Sequence, residues 1–157
     1  MRTLIIAEHD GQHLNAQVAR AITAAQHWQQ PVDVFIAASH TETLAAQAAA
    51  LQGVSQVLVA SDAALQHPTA EHLADVIVPL AASYSVVLAA HSAFSKDLLP
   101  RVAALLDVNM VSDVLEILNA NTYVRGIYAG NVLATVQSSD TKQVLTVRGS
   151  KFAAAAT

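Results

Sequence analysis

The sequence contains no cysteine. That excludes disulfides, thiolate metal sites, iron–sulfur ligation and a cysteine nucleophile, and it leaves any redox chemistry to a bound cofactor. Charge is scarce as well. Only 13% of the 157 residues are Asp, Glu, Lys or Arg, against about 25% in an average soluble domain. The net charge is −4 and the eight Lys and Arg are scattered, so there is no basic footprint for a nucleic-acid backbone. Glycine is sparse too: the five, at positions 11, 53, 126, 130 and 149, form neither G-x-G-x-x-G nor G-x-x-x-x-G-K-[ST], the loops that bring backbone amides against phosphates. There is no long apolar run at the start. Met1-Arg2-Thr3-Leu4-Ile5-Ile6-Ala7 meets Glu8 at once, too brief for a signal peptide or a membrane span. With no transit segment in view, a bacterial cytoplasm is the expected compartment, a processed mitochondrial matrix chain being the alternative.

What is present is apolar: 54% of residues, partly through alanine and partly, on this reading, because a partner covers some of the surface. The first two-thirds alternates β-branched runs with stretches of helical period. Candidate strands are Thr3–Ala7, Val32–Ala37, Val57–Ala60 and Val86–Ala90, the pattern of strand–helix–strand crossovers and a parallel sheet covered on both faces. Between them, Leu14, Val18, Ala21, Ile22 and Ala25 share one helix face, and Ser39-His40-Thr41-Glu42 has capping-box spacing before Leu44, Ala48 and Leu51, with Gly53 closing that helix. A third helix carries Leu73, Val76, Ile77 and Leu80, and Pro79 predicts a kink or an early stop in it. The fourth is expected to start near Ser95 as cap, to hold Pro100 in its first turns and to bury Leu98, Val102, Leu105 and Leu106. After Asp107 no helix intervenes: Val114–Leu118, Tyr123–Tyr128, Val132–Gln137 and Gln143–Val147 read as antiparallel ribbons. The expected fold is α/β, three-layer and doubly wound, a mostly parallel Rossmann-like sheet (adenine-nucleotide-hydrolase-like) with C-terminal antiparallel strands. Residues 1–150 form one domain and 151–157 begin a linker.

In such a sheet, ligands bind beyond the carboxyl ends of the strands where the order reverses. Glu8, His9 and Asp10 from one loop and His91 and Ser92 from another would line that crevice. Without a glycine loop a nucleotide there is disfavoured. His9 and His13 straddle Gly11 in a loop, a weak pattern for a metal. No G-x-S-x-G accompanies Ser92, Ser138 or Ser139. The residues therefore predict neither catalytic nor metal-binding groups.

Two stretches are more distinctive. His91-Ser92-Ala93-Phe94-Ser95-Lys96-Asp97-Leu98-Leu99-Pro100-Arg101-Val102-Ala103-Ala104 resembles a segment of electron transfer flavoprotein α subunits ending in Leu-Pro-Arg-Val-Ala-Ala. Val124-Arg125-Gly126-Ile127-Tyr128-Ala129-Gly130-Asn131 and Val144-Leu145-Thr146-Val147-Arg148-Gly149-Ser150-Lys151-Phe152 are similar to that family's Arg-x-x-Tyr-Ala-Gly-Asn block and the strand leading to its interdomain linker. Ala7-Glu8-His9 and Val111-Ser112-Asp113 fit as well. The resemblance implies the N-terminal domain (domain I) of one subunit of a heterodimer. Such a carrier takes electrons from acyl-CoA and other dehydrogenases toward a quinone oxidoreductase and the respiratory chain. It also implies that FAD belongs to the full-length heterodimer, in a domain following Thr157, that an AMP belongs to the β subunit, and that this chain holds no cofactor and no membrane-inserted segment.

The family usually has glycine at Ser95, so either a positive φ strains the serine or the serine caps a helix. Arg125, Tyr128 and Asn131 admit two readings. In one, Asn131 follows a tight turn and Tyr128 buries its ring. In the other, Arg125 and Tyr128, with Arg101 on the fourth helix, form the seam with the β subunit. The other functional classes left open are a free-standing nucleotide-binding domain of the universal-stress type and a generic α/β interaction domain.

Overall fold

The computed structural model describes residues 1–157. The chain runs β1 (Thr3–Ile6), α1 (Gln17–Ala25), β2 (Val32–Ala38), α2 (Glu42–Ala49), β3 (Val54–Ser61), α3 (Ala70–Ala81), β4 (Val86–Ala90), α4 (Ala93–Leu105), β5 (Met110–Asn119), β6 (Thr122–Ile127), β7 (Val132–Gln137) and β8 (Gln143–Val147). All strands join one sheet in the order β3-β2-β1-β4-β8-β5-β6-β7. Pairing is parallel as far as β5 and antiparallel from β5 to β6 and β6 to β7. The doubly wound, mostly parallel α/β fold is therefore the one its sequence pattern predicts.

β1, β2, β4 and β8 are buried along nearly their whole length, as strands covered on both faces must be. Ile5, Val34, Ile36, Leu88 and Leu145 pack under α1 and α2. Leu4, Ile6, Phe35 and Val87 pack under α3 and α4. Each fully buried Leu, Ile or Val contributes about 1.5–3 kcal/mol of transfer free energy.

β8 is a correction to the sequence reading, which groups it with the antiparallel ribbons. It lies between β4 and β5, parallel to both. All five of its residues are buried, and only the middle of a sheet buries both faces of a strand. β5 starts beside β8 and then turns at Asp113, where φ is +55°. Its far end brings the Ala120 carbonyl to Trp28 Nε1 at 3.0 Å, and Tyr123 Oη donates to Gln143, the first residue of β8, at 2.7 Å. The second half of β5 thus runs back over the α1-side core, where Val114, Ile117 and Tyr123 are buried. β6 then returns the chain toward the carboxyl ends of the parallel strands.

Helix ends differ from expectation where local spacing misjudges the first residue. Leu14 precedes α1 and sits in a bridge with His9. α2 is entered through Thr41 without a side-chain cap; Ser39 is still leaving β2, its carbonyl accepting from Ser61 Oγ. Gly53, at φ +94°, serves the turn into β3 rather than the last turn of α2. α3 continues two residues past Pro79; the proline is exposed near the helix end, where the missing amide disrupts only the last turn. α4 starts at Ala93, so its cap is Ser92 and Ser95 is the third helical residue. Pro100 therefore falls in the helix middle, and Leu98, Leu99, Val102 and Ala103 are buried while Leu105 is exposed. Beyond β8 the chain packs on α1: Arg20 donates to the Phe152 carbonyl at 2.6 Å and Ala155 N to the Ala19 carbonyl at 2.9 Å.

Candidate functional site

The strand order reverses between β1 and β4, and the loops after these strands carry Glu8, His9, Asp10, His91 and Ser92 as the sequence predicts. The space between them is closed. The cavity bordered by Glu8, Asn15, Ala90 and Phe94 measures about 10 Å³, room for one water at most. A larger hollow of about 200 Å³ opens on the α3 side, lined by Ile6, His9, Phe35, Leu73, Ile77 and Phe94.

The loop after β1 is internally satisfied. Asp10 Oδ1 accepts from Gln12 N (2.9 Å) and His13 N (2.7 Å), and these backbone bonds hold the carboxyl below the usual range. His9 Nδ1 accepts from Gly11 N (3.0 Å) while Nε2–H donates to the Ala37 carbonyl (2.7 Å). Gln47 ties the loop to α2 through Leu14 N and the Gln12 carbonyl. The Gln12 and His13 amides are thus occupied by the chain's own carboxylate, which also repels an anion. No group of three or more His, Asp and Glu side chains is gathered as a metal would require.

A second cluster lies at the carboxyl ends of β4 and β8. Thr146 Oγ1, fully buried, accepts from Asp113 N at 2.8 Å and lies 3.0 Å from His91 Nδ1. The hydroxyl, with one proton and two lone pairs, thus bonds the Asp113 amide and the His91 ring at the same time. Burial lowers the His91 pKa below 6.5, a shift opposed by the Asp113 charge and aided by those of Lys96, Arg148 and Arg125. Asp113 is gripped by Arg148 through Nε (3.1 Å) and Nη2. Burial pushes the Asp113 carboxyl up, but that hydrogen bonding and the neighbouring positive charges prevail and its pKa is lowered.

The predicted interface residues fall in two places. Arg125 lies on β6, half-buried, its Nε sealed from solvent. Tyr128 and Asn131 are exposed at the β6–β7 turn, where Tyr128, Ala129 and Gly130 all have positive φ (51°, 53° and 86°). Tyr128 is 77% exposed, which overturns the buried-ring reading. Arg101 is remote from the hairpin elements, exposed on α4 and 3.9 Å from Glu71 of α3. Ser95 has no positive φ; its Oγ accepts from Ser92 N (2.9 Å) and donates to the Ala90 carbonyl (2.6 Å). Sequence reasoning missed the Thr146, Asp113 and Arg148 network. Its only signals were that Val-Ser-Asp and the Val144–Phe152 block both fall within the resemblance, with nothing to say that they meet.

These features define a three-layer α/β domain whose switch-point crevice is closed and whose added antiparallel hairpin exposes Tyr128, Val132 and Leu133. A family model described as electron transfer flavoprotein domain matches residues 3–157, and the chain belongs to that family. It is 43% identical to the electron transfer flavoprotein subunit alpha of Pseudomonas aeruginosa, over 99% of this chain and 50% of that protein. It is 46% identical to the subunit alpha of Bradyrhizobium diazoefficiens, over 99% and 49%. With the mitochondrial subunit alpha of Arabidopsis thaliana identity is 37%, over 96% and 44%. The chain thus spans about half the length of the curated relatives it matches and corresponds to the N-terminal domain of α subunits. No helix is long and apolar enough to cross a membrane.

Proposed function

We propose that this chain is the docking and supporting domain of a two-subunit electron carrier. The carrier's FAD is held outside residues 1–157, and its electrons come from acyl-CoA and other dehydrogenases and go on to a quinone oxidoreductase. The observation that carries this reading is the family match across residues 3–157 at half the length of the α subunits. In this role residues 1–150 are the scaffold, residues 151–157 lead toward the flavin domain, and the chain contributes no catalytic group. The AMP of the carrier belongs to the β subunit, in keeping with the Asp10-capped loop here. Docking to β is assigned to the β6–β7 hairpin, through Arg125, Tyr128 and Asn131, with Arg101 as a more distant contact. Tyr128 and Arg125 are of the residue types enriched among interface anchors, and exposed Val132 and Leu133 add apolar area on the same hairpin. The compartment proposed is the bacterial cytoplasm.

The test is purification of the complete protein with its β partner and of the 157-residue chain by itself. The complex is expected to be yellow and the chain colourless, with no saturable heat on titration with FAD, AMP or ATP. One equivalent of flavin retained by the 157 residues refutes the assignment, and tight ATP or AMP binding favours the free-standing nucleotide module.

A further inference from the structure

Arg125 lies opposite Val114 of β5 and Ala134 of β7. Its Nε–H is shut off from bulk water, and no group of the chain accepts from it. It belongs to none of the ion pairs in the molecule. Asp113, the carboxylate that feels its charge, is already held by Arg148 through two nitrogens. Lys96, Arg148 and Arg125 all act on His91 against the single carboxylate of Asp113, an excess of positive charge in a chain of net charge −4. A guanidinium partly withdrawn from water with an unmatched donor is costly until a carboxylate or phosphate meets it.

The surroundings select the kind of acceptor. Val132, cross-strand from Ile127, shares Arg125's face of the hairpin. Val132 and Tyr128 are exposed, 45% and 77%. The turn between them is fixed by three consecutive left-handed residues and by bonds from Gly130 N to the Ile127 carbonyl and Asn131 N to the Tyr128 carbonyl, both 3.1 Å. An apolar and aromatic rim around a cation fits a protein surface better than a free small anion, which needs no such rim.

We propose that the β6–β7 hairpin receives an acidic side chain of the partner subunit, whose carboxylate pairs with the Arg125 guanidinium while Tyr128 and Val132 pack around it. This rests on the docking reading above and adds the chemistry of the partner's contact. Because Nε is sealed, the partner's carboxylate meets the terminal nitrogens of the half-buried guanidinium and neutralises the charge from its open end.

The experiment measures subunit affinity in the complete protein across a salt series. Arg125→Gln is expected to weaken association at least about 30-fold and to flatten the salt dependence, with Arg125→Lys recovering part of the loss. Lys151→Gln, which removes an exposed cation elsewhere, is expected to leave affinity unchanged. In the chain alone, Arg125→Met is expected to hold or raise the melting temperature, since it replaces an unmatched charge by an apolar chain of similar length. Arg125→Glu is expected to be rescued by one acidic-to-Arg exchange in the partner. Wild-type affinity in Arg125→Gln, or a lowered melting temperature in Arg125→Met with association intact, overturns the carboxylate pairing alone. A partner that does not bind the wild-type protein removes the docking reading itself.

Discussion

Asp33 is the one charged residue in the strand Val32–Ala38, and it is fully buried. Arg2 donates to it through Nε (2.8 Å) and Nη2 (2.5 Å), Tyr84 Oη at 2.6 Å and Gln56 Nε2 at 3.1 Å. Burial acts to raise its pKa, but the bonds from Arg2, Tyr84 and Gln56 outweigh it and the carboxyl is held below 3.8. Tyr84, buried and bonded to that carboxylate, is pushed up to about 12. The lowered carboxyl contributes stability that is complete above pH 3.8 and is lost as pH falls through its folded value. Asp33→Ala should destabilise the fold by about 2–4 kcal/mol, since it strips four donor atoms on three side chains of their acceptor. Denaturant melts between pH 2 and 7 should show a shallower acid loss in the variant than in wild type. His91 should show a titration midpoint below 6.5 by nitrogen-15 NMR. Its neutral form supports the fold above pH 6.5, and this support fades as pH falls through the lowered midpoint.

At the scale of elements, α4 depends on its first turn. Ser92 and Ser95 satisfy each other's backbone amides as a capping box, and Ser95 also anchors the helix to the end of β4 through the Ala90 carbonyl. Ser95→Ala should cost about 1–3 kcal/mol, measured by equilibrium unfolding, because two half-buried backbone groups, Ser92 N–H and the Ala90 carbonyl, lose their partner. An equal stability in that variant would contradict the assigned role. Lys142 closes the opposite end of the packing: its ammonium donates to the Ala81 carbonyl at 2.7 Å and to that of Tyr84, a cation at the carboxyl end of α3 where the helix dipole favours it. Burial lowers the Lys142 pKa.

For the molecule as a whole, the sheet has a helix-covered parallel part and a hairpin extension, β6 and β7, that contributes Tyr123 and Val136 to the core yet leaves Tyr128, Val132 and Leu133 exposed. An uncharged edge strand such as β7 (Val132-Leu133-Ala134-Thr135-Val136-Gln137) lacks the Lys, Pro or bulge that usually guards a free edge. Tyr128→Ser combined with Leu133→Lys is therefore expected to weaken association with the β subunit at least about tenfold while leaving the melting temperature of the isolated chain within a few degrees. Loss of folding in the chain alone would show that these residues serve the fold instead.

The alternating apolar runs determined the strands, the helices and the parallel sheet, because burial on two faces writes a continuous β-branched run and helix packing writes a stripe, both local in sequence. The segments around Arg101 and Arg125 to Asn131 were distinctive enough to point to the family. Tertiary structure alone decided that β8 enters the middle of the sheet, since a five-residue apolar run carries no record of its neighbours, and that β5 folds back at Asp113. It alone decided the exposure of Tyr128, which depends on which face of a hairpin meets a core. It also decided the meeting of His91, Thr146, Asp113 and Arg148, four residues drawn from three strands and their ends. Such a contact is a property of topology, and no spacing along the chain encodes it.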